Sequence, residues 1–420
     1  MRLLARVAAA LIALLLLMAA LVAWLNVRGE APLTGERSAV PGDAATIARG
    51  AYLARAGNCI GCHTARGGAD YAGGRGIETP FGTVFASNLT PDADTGLGRW
   101  SASEFWRAMH HGRSKDGRLL YPAFPYPSFT HVTREDSDAL FAYLQSMPAV
   151  RQPNRPHALR FPYGLQASLA VWRALYFRPG EVEPDPARSS AWNRGSYLVR
   201  GLGHCVACHA DRNWLGATPG GLQLGGGLIP EQNWYAPALA APMAAGGDDD
   251  SAGELVALLK HGVSARGAVM GPMAEVVFRS TQHLTDADLG AIATYVESLP
   301  RPPAPEPAEP ADGALRRLGA RLYADRCASC HGEGGEGAAG LYPPLAGNRT
   351  VTLPSPNNVI LAIVHGGFAP STAGNPRPFG MPPFGQSLND SEIAAVATHL
   401  RQSWGHAASA VSAADVHRAR

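Results

Sequence analysis

All six cysteines of this 420-residue chain lie in C-x-x-C-H pentapeptides, which read CIGCH, CVACH and CASCH. The cysteines are Cys59, Cys62, Cys205, Cys208, Cys327 and Cys330, and the histidines that follow them are His63, His209 and His331. Two thiols at this spacing can add across the vinyl groups of haem, and the adjacent histidine then becomes the proximal iron ligand. The sequence therefore predicts three covalently bound haem c groups.

Two other uses of paired cysteines explain the pattern less well. A structural zinc site usually needs four clustered Cys or His ligands, and each cysteine pair here stands far from the next along the chain. A thioredoxin-like dithiol accounts neither for the histidine after every pair nor for three copies. Haem attachment accounts for both.

The sixth iron ligand is expected in the loop before the last helix of each repeat, where domains of this kind usually supply a methionine sulfur. The segment FGMPPFG offers Met381, and AVMGPMAEV offers Met270 and Met273. Met273 is preferred to Met270 because its spacing and its proline neighbour match the other repeats. In the first repeat the same position holds Phe124, which cannot bind iron.

The first haem must then be five-coordinate or take a ligand from elsewhere. The nearby candidates are Met109, His110, His111, His131 and Met147. His111 aligns with histidines in the other repeats, and the two methionines align with leucines, so these three are expected to be structural. His110 and His131 have no such counterpart, and each stays open as a ligand or as a solvent-exposed histidine.

The elements around each pentapeptide recur three times. A short helix with a glycine (Gly50, Gly195 or Gly319) precedes each pentapeptide, and the missing side chain would let another helix cross closely. A second helix ends in His-Gly, and a third helix closes each repeat after a cap residue. This is the plan of a small class I cytochrome c domain, so a mainly α fold with three such domains in tandem is predicted.

The predicted domain ranges are 44–150, 190–300 and 314–404, after an N-terminal segment 1–28. Residues 301–313 are rich in proline and predict a stiff spacer. Residues 151–191 are expected to pack against a partner or a neighbouring domain. The stretch after His406 shows no convincing packed face and predicts a mobile tail.

The N-terminal segment predicts a membrane anchor, with a removed signal peptide as the alternative. Arg2 and Arg6 precede an unbroken apolar run from Val7 to Leu25, which is long enough to span a bilayer and long for the core of a signal peptide. The early arginines place the start inside and the rest outside, so the haem domains are expected to face the periplasm from the bacterial inner membrane. The net charge of only +2 gives no indication of nucleic-acid binding.

Long phrases of the chain resemble a known family, the membrane-anchored triheme cytochrome c subunits of bacterial periplasmic dehydrogenases. They are the three pentapeptides, NLTPDADTGLGRWSASEFWRAMHHGRSKDGRLLYPAFPYPSFT and GPMAEVVFRSTQHLTDADLGAIATYVESLP. The resemblance extends to cytochrome subunits of flavin-linked alcohol, gluconate and sorbitol dehydrogenases, which usually carry Met at the position of Phe124. The Phe form is more similar to cytochrome subunits paired with molybdenum hydroxylases of the nicotinate and aldehyde dehydrogenase kind.

This resemblance implies an electron relay. A flavin or molybdenum partner would oxidise its substrate, the haems would carry single electrons, and a quinone or terminal oxidase would receive them. His63, His209 and His331 would be proximal ligands, with Met273 and Met381 distal. The rival hypothesis is a haem enzyme or small-ligand binder that uses an open first haem near Phe124.

Overall fold

The computed structural model describes residues 1–30, 33, 42–218, 224–239, 251–300 and 306–420. The N-terminal apolar run forms helix α1 (Arg2–Val27). Among the described residues, α1 is the one helix that is long and apolar enough to cross a membrane, with a mean hydropathy of 2.7 in its most apolar window. None of that window is buried, and the N-terminal apolar helix that the sequence predicts is confirmed.

A first helical unit surrounds the CIGCH pentapeptide. Its elements are α2 (Ala44–Ala56), α3 (Cys59–His63), β1 (Gly76–Thr79), β2 (Gly82–Phe85), α4 (Ala102–His111), α5 (Tyr126–Phe129) and α6 (Arg134–Gln145). Ser101 and Glu104 form the predicted capping box at the start of α4, and the Thr133 side chain caps α6. Helices α2 and α6 cross and enclose an apolar cluster that includes Leu53, Leu140 and Phe129.

The segment after the first unit packs as the sequence predicts. Strand β3 (Ala158–Leu159) pairs antiparallel with β2 to make a three-stranded sheet in the order β1-β2-β3. Helix α7 (Gln166–Tyr176) then lies against α1. These contacts hold residues 158–176 on the first unit and on the N-terminal helix.

A second unit of the same plan surrounds CVACH. Its elements are α8 (Ser190–Arg200), α9 (Val206–His209), β4 (Gly227–Leu228), β5 (Tyr235–Ala236), α10 (Ser251–His261), β6 (Val263–Ser264), β7 (Gly267–Ala268), α11 (Pro272–Arg279), a 3-10 turn (Thr281–His283) and α12 (Asp286–Glu297). The strands form two short antiparallel pairs, β4 with β5 and β6 with β7. The core between α8 and α12 includes Val199, Leu289 and Val296.

A third unit surrounds CASCH. Its elements are α13 (Gly313–Arg326), α14 (Ala328–His331), a 3-10 turn (Arg349–Thr352), α15 (Asn357–His365), β8 (Gly367–Phe368), β9 (Gly380–Met381) and α16 (Asp390–Gln402). Asn389 and Glu392 form a capping box at the start of α16. Strand β8 pairs antiparallel with β9, and the core includes Ile360, Ile363 and Ile393. Of the proline-rich spacer 301–313, residues 301–305 lie outside the described residues.

The predicted close helix crossings are confirmed at all three glycines. A Cβ built on Gly50 would lie 1.9 Å from the carbonyl oxygen of Ala139, and one on Gly195 would lie 1.9 Å from that of Ala291. The same test on Gly319 gives 2.2 Å to the carbonyl oxygen of Ala395. Because real Cβ atoms do not approach backbone so closely, only glycine permits these crossings.

The prediction of a mobile tail after His406 is wrong. Residues beyond it form α17 (Ala413–Ala419), which begins with a capping box between Ser412 and Asp415. Val411, Val416 and Ala419 are buried in the core of the third unit. Their apolar side chains are few and unevenly spaced, so the periodic pattern that identifies a packed helix is missing from the sequence.

Candidate haem sites

Each pentapeptide forms a single helical turn that directs its functional side chains to one side. Residues three and four positions apart share a helix face, so the first cysteine, the second cysteine and the histidine lie close together. None of the six cysteines forms a disulfide, and all six are partly buried. Burial, with a smaller contribution from the neighbouring thiol, raises the pKa of Cys59 and of Cys205 to about 12, which marks the surroundings as apolar.

The three histidines share one hydrogen-bond arrangement. Each Nδ1 faces a backbone carbonyl oxygen, at 2.7 Å from Ser87 for His63, 2.7 Å from Pro237 for His209 and 3.0 Å from Pro343 for His331. Because a carbonyl can only accept, Nδ1 carries the proton and Nε2 keeps its lone pair. Metal-bound histidines in proteins are oriented in the same way.

Desolvation also lowers the pKa of all three imidazoles, despite the opposing effect of the carbonyl hydrogen bonds. The rings are therefore neutral near pH 7, as an iron ligand must be. The thiol pairs, the apolar surroundings and the free Nε2 atoms thus fit covalently bound haem, with His63, His209 and His331 as the residues that would hold iron.

The residues at the predicted distal positions each pack against the apolar cluster of their own unit. Each unit has an apolar cluster, and one pentapeptide cysteine and one ligand-loop residue pack against it. These pairs are Cys59 with Phe124, Cys205 with Met273, and Cys327 with Met381. In each unit, the residue at the predicted distal position therefore packs against the same apolar cluster as a pentapeptide cysteine.

The two methionines of the second ligand loop lie in different surroundings. Met273 is in the first turn of α11 and packs against the second cluster. Met270 instead extends toward the third unit, where its Cε would lie 3.1 Å from a Cβ built on Gly367. This placement supports Met273 as the sulfur ligand and gives Met270 a role at the contact between units.

The other candidate ligands of the first iron are all buried or partly buried. Met109 is buried in the first cluster, and Met147 packs against it.

His111 is 6% exposed and His110 is 9% exposed, so the interpretation of His110 as a solvent-exposed residue is wrong. The His110 ring stacks on Trp106 at 4.4 Å, and its buried Nδ1 has no hydrogen-bond partner. His131 is partly buried, and its Nδ1 lies 2.8 Å from the carbonyl oxygen of Gly180.

A reciprocal pair of hydrogen bonds joins the first and second units. The Tyr52 hydroxyl on α2 donates to Asp288 on α12 at 2.5 Å, and the Tyr197 hydroxyl on α8 donates to Asp136 on α6 at 2.6 Å. Each aspartate also pairs with an arginine of its own unit, Asp136 with Arg49 and Asp288 with Arg194. The two units therefore meet through the same surface, as the protomers of a two-fold dimer do.

No single motif indicates this contact between units, but a comparison of the repeats does. Tyr52 and Tyr197 each follow the crossing glycine in the phrase R-G-x-Y. The third unit has Leu318, Gly319 and Arg321 at the matching positions, so it lacks both the tyrosine and the arginine. Only the first two units carry the residues for the reciprocal contact.

Arg75 connects the first pentapeptide to the second ligand loop. Its guanidinium donates to the carbonyl oxygen of Gly61, inside CIGCH, and to Glu275 at 2.9 Å. Glu275 belongs to α11, the helix that carries Met273, and it also pairs with Arg279 at 3.2 Å. The first pentapeptide and the distal side of the second candidate site therefore lie next to each other.

The second and third units meet through amide hydrogen bonds. The Asn358 side chain accepts from the backbone N–H of Tyr235 and donates to its carbonyl oxygen, both at 2.8 Å. Thr372 donates its hydroxyl to the carbonyl oxygen of His261 at 2.9 Å. The second unit thus lies between the other two.

Replacement of Asp288 by asparagine is expected to weaken the contact between the first two units. The Asp288 side chain is only 11% exposed and accepts from both Arg194 and Tyr52, so its replacement leaves two partly buried donors poorly paired. We expect the free energy of unfolding to fall by about 2 kcal/mol at pH 7. Asp286→Asn is the matched control, because that carboxylate is 89% exposed and should change stability by less than about 0.5 kcal/mol.

The effect of Asp288→Asn should depend on pH in a defined direction. Desolvation raises the pKa of the Asp288 carboxyl, but hydrogen bonds from Arg194 and Tyr52 lower it by more, so the pKa lies below its ordinary value of 3.8. The stabilisation is therefore present above that value and is lost as the pH falls through the folded-state pKa. Urea unfolding should show the two proteins converging below pH 3.8; a constant difference would contradict this account.

Comparison with known proteins agrees with this geometry. The family model described as cytochrome c matches residues 47–148 and 317–404, which cover the first and third units. Cytochromes c carry covalently bound haem c, so this match implies a haem c protein.

Full-length relatives extend the match to the second unit. The cytochrome c subunit of the quinone-dependent alcohol dehydrogenase of Gluconacetobacter polyoxogenes is 40% identical over 397 residues, 90% of this chain and 85% of the relative. The cytochrome c subunit of gluconate 2-dehydrogenase of Pantoea cypripedii is 37% identical, over 89% of each chain. A nicotinate dehydrogenase subunit of Pseudomonas putida is 42% identical over 85% of this chain but only 30% of its own length. The chain belongs to the family of cytochrome c subunits of alcohol and gluconate dehydrogenases.

Proposed function

We propose that this chain is a triheme c-type cytochrome that relays electrons from the catalytic subunit of a periplasmic dehydrogenase to a quinone or a terminal oxidase. The observation that carries the proposal is the threefold repetition of one site: a C-x-x-C-H turn with its histidine Nδ1 on a backbone carbonyl. The haems would supply the one-electron chemistry, and the protein would set their distances and potentials.

The domain assignment follows the three units. Cytochrome c domains would span 44–150, 190–300 and 314–404, with three haem c groups attached at the three cysteine pairs. Met273 and Met381 would be the distal ligands of the second and third irons. The contacts of the second unit with both neighbours support electron passage through it, because close and rigid placement of redox groups favours transfer.

The proposed location is the bacterial inner membrane. Helix α1 would anchor the chain, with residues 1–28 as the membrane segment and the three units on the periplasmic side. The early arginines before the apolar run support this orientation. The relatives named as subunits of alcohol, gluconate and nicotinate dehydrogenases support a dehydrogenase catalytic subunit as the partner, for which we propose a flavin or molybdenum cofactor.

Two measurements test the proposal. The haem content of the purified chain should be three per polypeptide, and it should fall to two in the Cys205→Ala, Cys208→Ala double variant. Gentle solubilisation of native membranes should recover the chain with a large partner subunit that contains flavin or molybdenum. Two haems in the unaltered protein would overturn the triheme assignment, and repeated recovery of the chain alone would overturn the role as a dehydrogenase subunit.

A further inference from the structure

The end of α1 is fastened to α7 by a buried polar residue. The Asn26 side chain, 8% exposed, donates to the carbonyl oxygen of Ala170 at 2.8 Å and accepts from Arg173 Nε at 2.9 Å. Arg113 from the first unit donates to the Asn26 carbonyl oxygen at 2.8 Å and to Glu30 at 2.9 Å. The middle of α7 is therefore fixed at the level of the last turn of α1.

That level corresponds to the bilayer surface if α1 spans the membrane. A helix of 26 residues is about 39 Å long, against a hydrocarbon core of about 30 Å, so its last turn would lie among the lipid headgroups. Trp24 and Val27 are exposed in this last turn, and tryptophan is enriched at the level of the headgroups.

The outer face of α7 is apolar. Ala167, Val171 and Leu175 lie one above another at intervals of four residues, and all three are exposed. Phe161 and Leu165, just before the helix, are also exposed, with Phe161 at 86%. The one charged residue of α7, Arg173, is 3% exposed and faces inward. The segment thus presents a contiguous apolar surface to its surroundings.

The charged residues of the segment that carries this surface have one sign. Residues 151–180 contain five arginines and no aspartate or glutamate. Arg160 and Arg178 flank α7 and are exposed. A helix with an apolar outer face and a basic border is typical of segments that lie in the interface of a membrane with anionic lipids.

We propose that α7, with Phe161 and Leu165, forms a second membrane contact that lies in the outer headgroup layer beside α1, with Arg160 and Arg178 against anionic headgroups. The inference rests on the proposed role of α1 as a membrane anchor and adds a fixed orientation to it. Helices α7 and α1 are both hydrogen-bonded to the first unit, so this contact would hold that unit against the bilayer. The second unit would be linked to the membrane through the first, and the third unit through the second.

Spin-label accessibility in the isolated complex, reconstituted into vesicles of phosphatidylcholine with phosphatidylglycerol, tests the proposal. A nitroxide would be attached to Val171→Cys or Leu175→Cys, because the native cysteines are consumed by haem attachment. The ratio of collisions with oxygen to collisions with a polar nickel chelate should be several-fold higher at these positions than at Ser391→Cys, an exposed position on α16. It should be highest at Leu15→Cys in α1.

The outcomes separate this inference from the anchor. A lipid-like ratio at Leu15 with a water-like ratio at Leu175 would overturn the α7 contact and leave the anchor in place. Water-like ratios at both positions would overturn the anchor itself. Protection of Leu175 from both collision partners would show that another protein covers α7, and it would overturn the lipid assignment.

The contact of the basic border, Arg160 and Arg178, with anionic headgroups can be tested separately. The Arg160→Gln, Arg178→Gln double variant should lower the ratio at Leu175 in the anionic vesicles to the value that the unaltered border gives in pure phosphatidylcholine. Both arginines are exposed, but Arg178 also donates to the carbonyl oxygens of Ala174 and Phe177, so far-UV circular dichroism of the double variant serves as the folding control. An unchanged ratio would overturn the role of anionic headgroups.

Discussion

Replacement of Phe124 by methionine is expected to raise the reduction potential of the first haem by an amount on the order of 0.1 V, within the range of about 0.8 V over which axial ligands act. Phe124 packs against the first cluster as Met273 and Met381 pack against theirs. A thioether at this position can bind iron and favours its reduced state, whereas a phenyl ring can only exclude water.

The local backbone is suited to the exchange. Phe124 lies in a tight turn, in which its N–H donates to the carbonyl oxygen of Tyr121 at 3.0 Å and its own carbonyl oxygen accepts from Tyr126 at 2.7 Å. Pro125 follows it, as Pro382 follows Met381. Methionine is flexible and similar in size to the side chain that it replaces, so the fold should tolerate it.

Two observations measure the result. The oxidised protein should gain intensity in the far-red band of iron–sulfur ligation, and a redox titration should show one haem shifted upward. Phe124→Leu is the control, because it changes the packing without adding a lone pair. An unchanged spectrum and titration in Phe124→Met would mean that another side chain already occupies this coordination position.

Carbon monoxide binding distinguishes the states of the first site in the unaltered protein. Uptake at one reduced haem, abolished in Phe124→Met, would show an open position and favour the small-ligand hypothesis. No uptake would favour an electron carrier whose iron is shielded by Phe124 or bound by a residue such as His110. The buried Nδ1 of His110 lacks a hydrogen-bond partner, so His110→Ala would be the next variant to examine.

The parts of the fold that can be predicted from the sequence depend on local chemistry. The cap residues Ser101, Thr133 and Asn389 act on backbone groups within three residues of themselves, so their patterns are visible in a short phrase. The crossing glycines are recognisable because three copies repeat them. The pentapeptide histidines are adjacent to the cysteines, which indicates their role without knowledge of the fold.

The parts that the sequence does not reveal depend on contacts between distant residues. The Tyr52 to Asp288 bond joins residues of two different units, and neither residue type indicates a partner by itself. The burial of helix α17 depends on the surface that α15 and α16 provide. The apolar face of α7 can be interpreted only together with the hydrogen bond between Asn26 and Ala170, because that bond places the face beside α1.

Replacement of Gly195 by alanine is expected to destabilise the second unit by about 3 kcal/mol or more, because the new methyl group would overlap backbone. A Cβ at this position would lie 1.9 Å from the carbonyl oxygen of Ala291 and 2.8 Å from the Tyr295 Cβ, so α8 and α12 would have to separate. Helix propensity alone predicts the opposite sign, since alanine stabilises a helix by about 1 kcal/mol relative to glycine. The sign of the change therefore tests the crossing itself.

Gly290→Ala is the matched control on the opposing helix. A Cβ on Gly290 would meet nothing within 4 Å, so this variant should raise the free energy of unfolding by roughly 0.5–1 kcal/mol. Urea unfolding, followed by far-UV circular dichroism and by the haem spectrum, measures both variants. A neutral or stabilising Gly195→Ala would mean that α8 and α12 can separate without loss.

Separation of these helices would also disturb the contact between units. Helix α8 carries Arg194 and Tyr197, and α12 carries Asp288, so both ends of the reciprocal contact depend on this crossing. If the first two haem sites are held in place by that contact, Gly195→Ala should slow electron passage between them as well as lower stability. Gly290→Ala should leave the rate unchanged, because its methyl group would lie in open space.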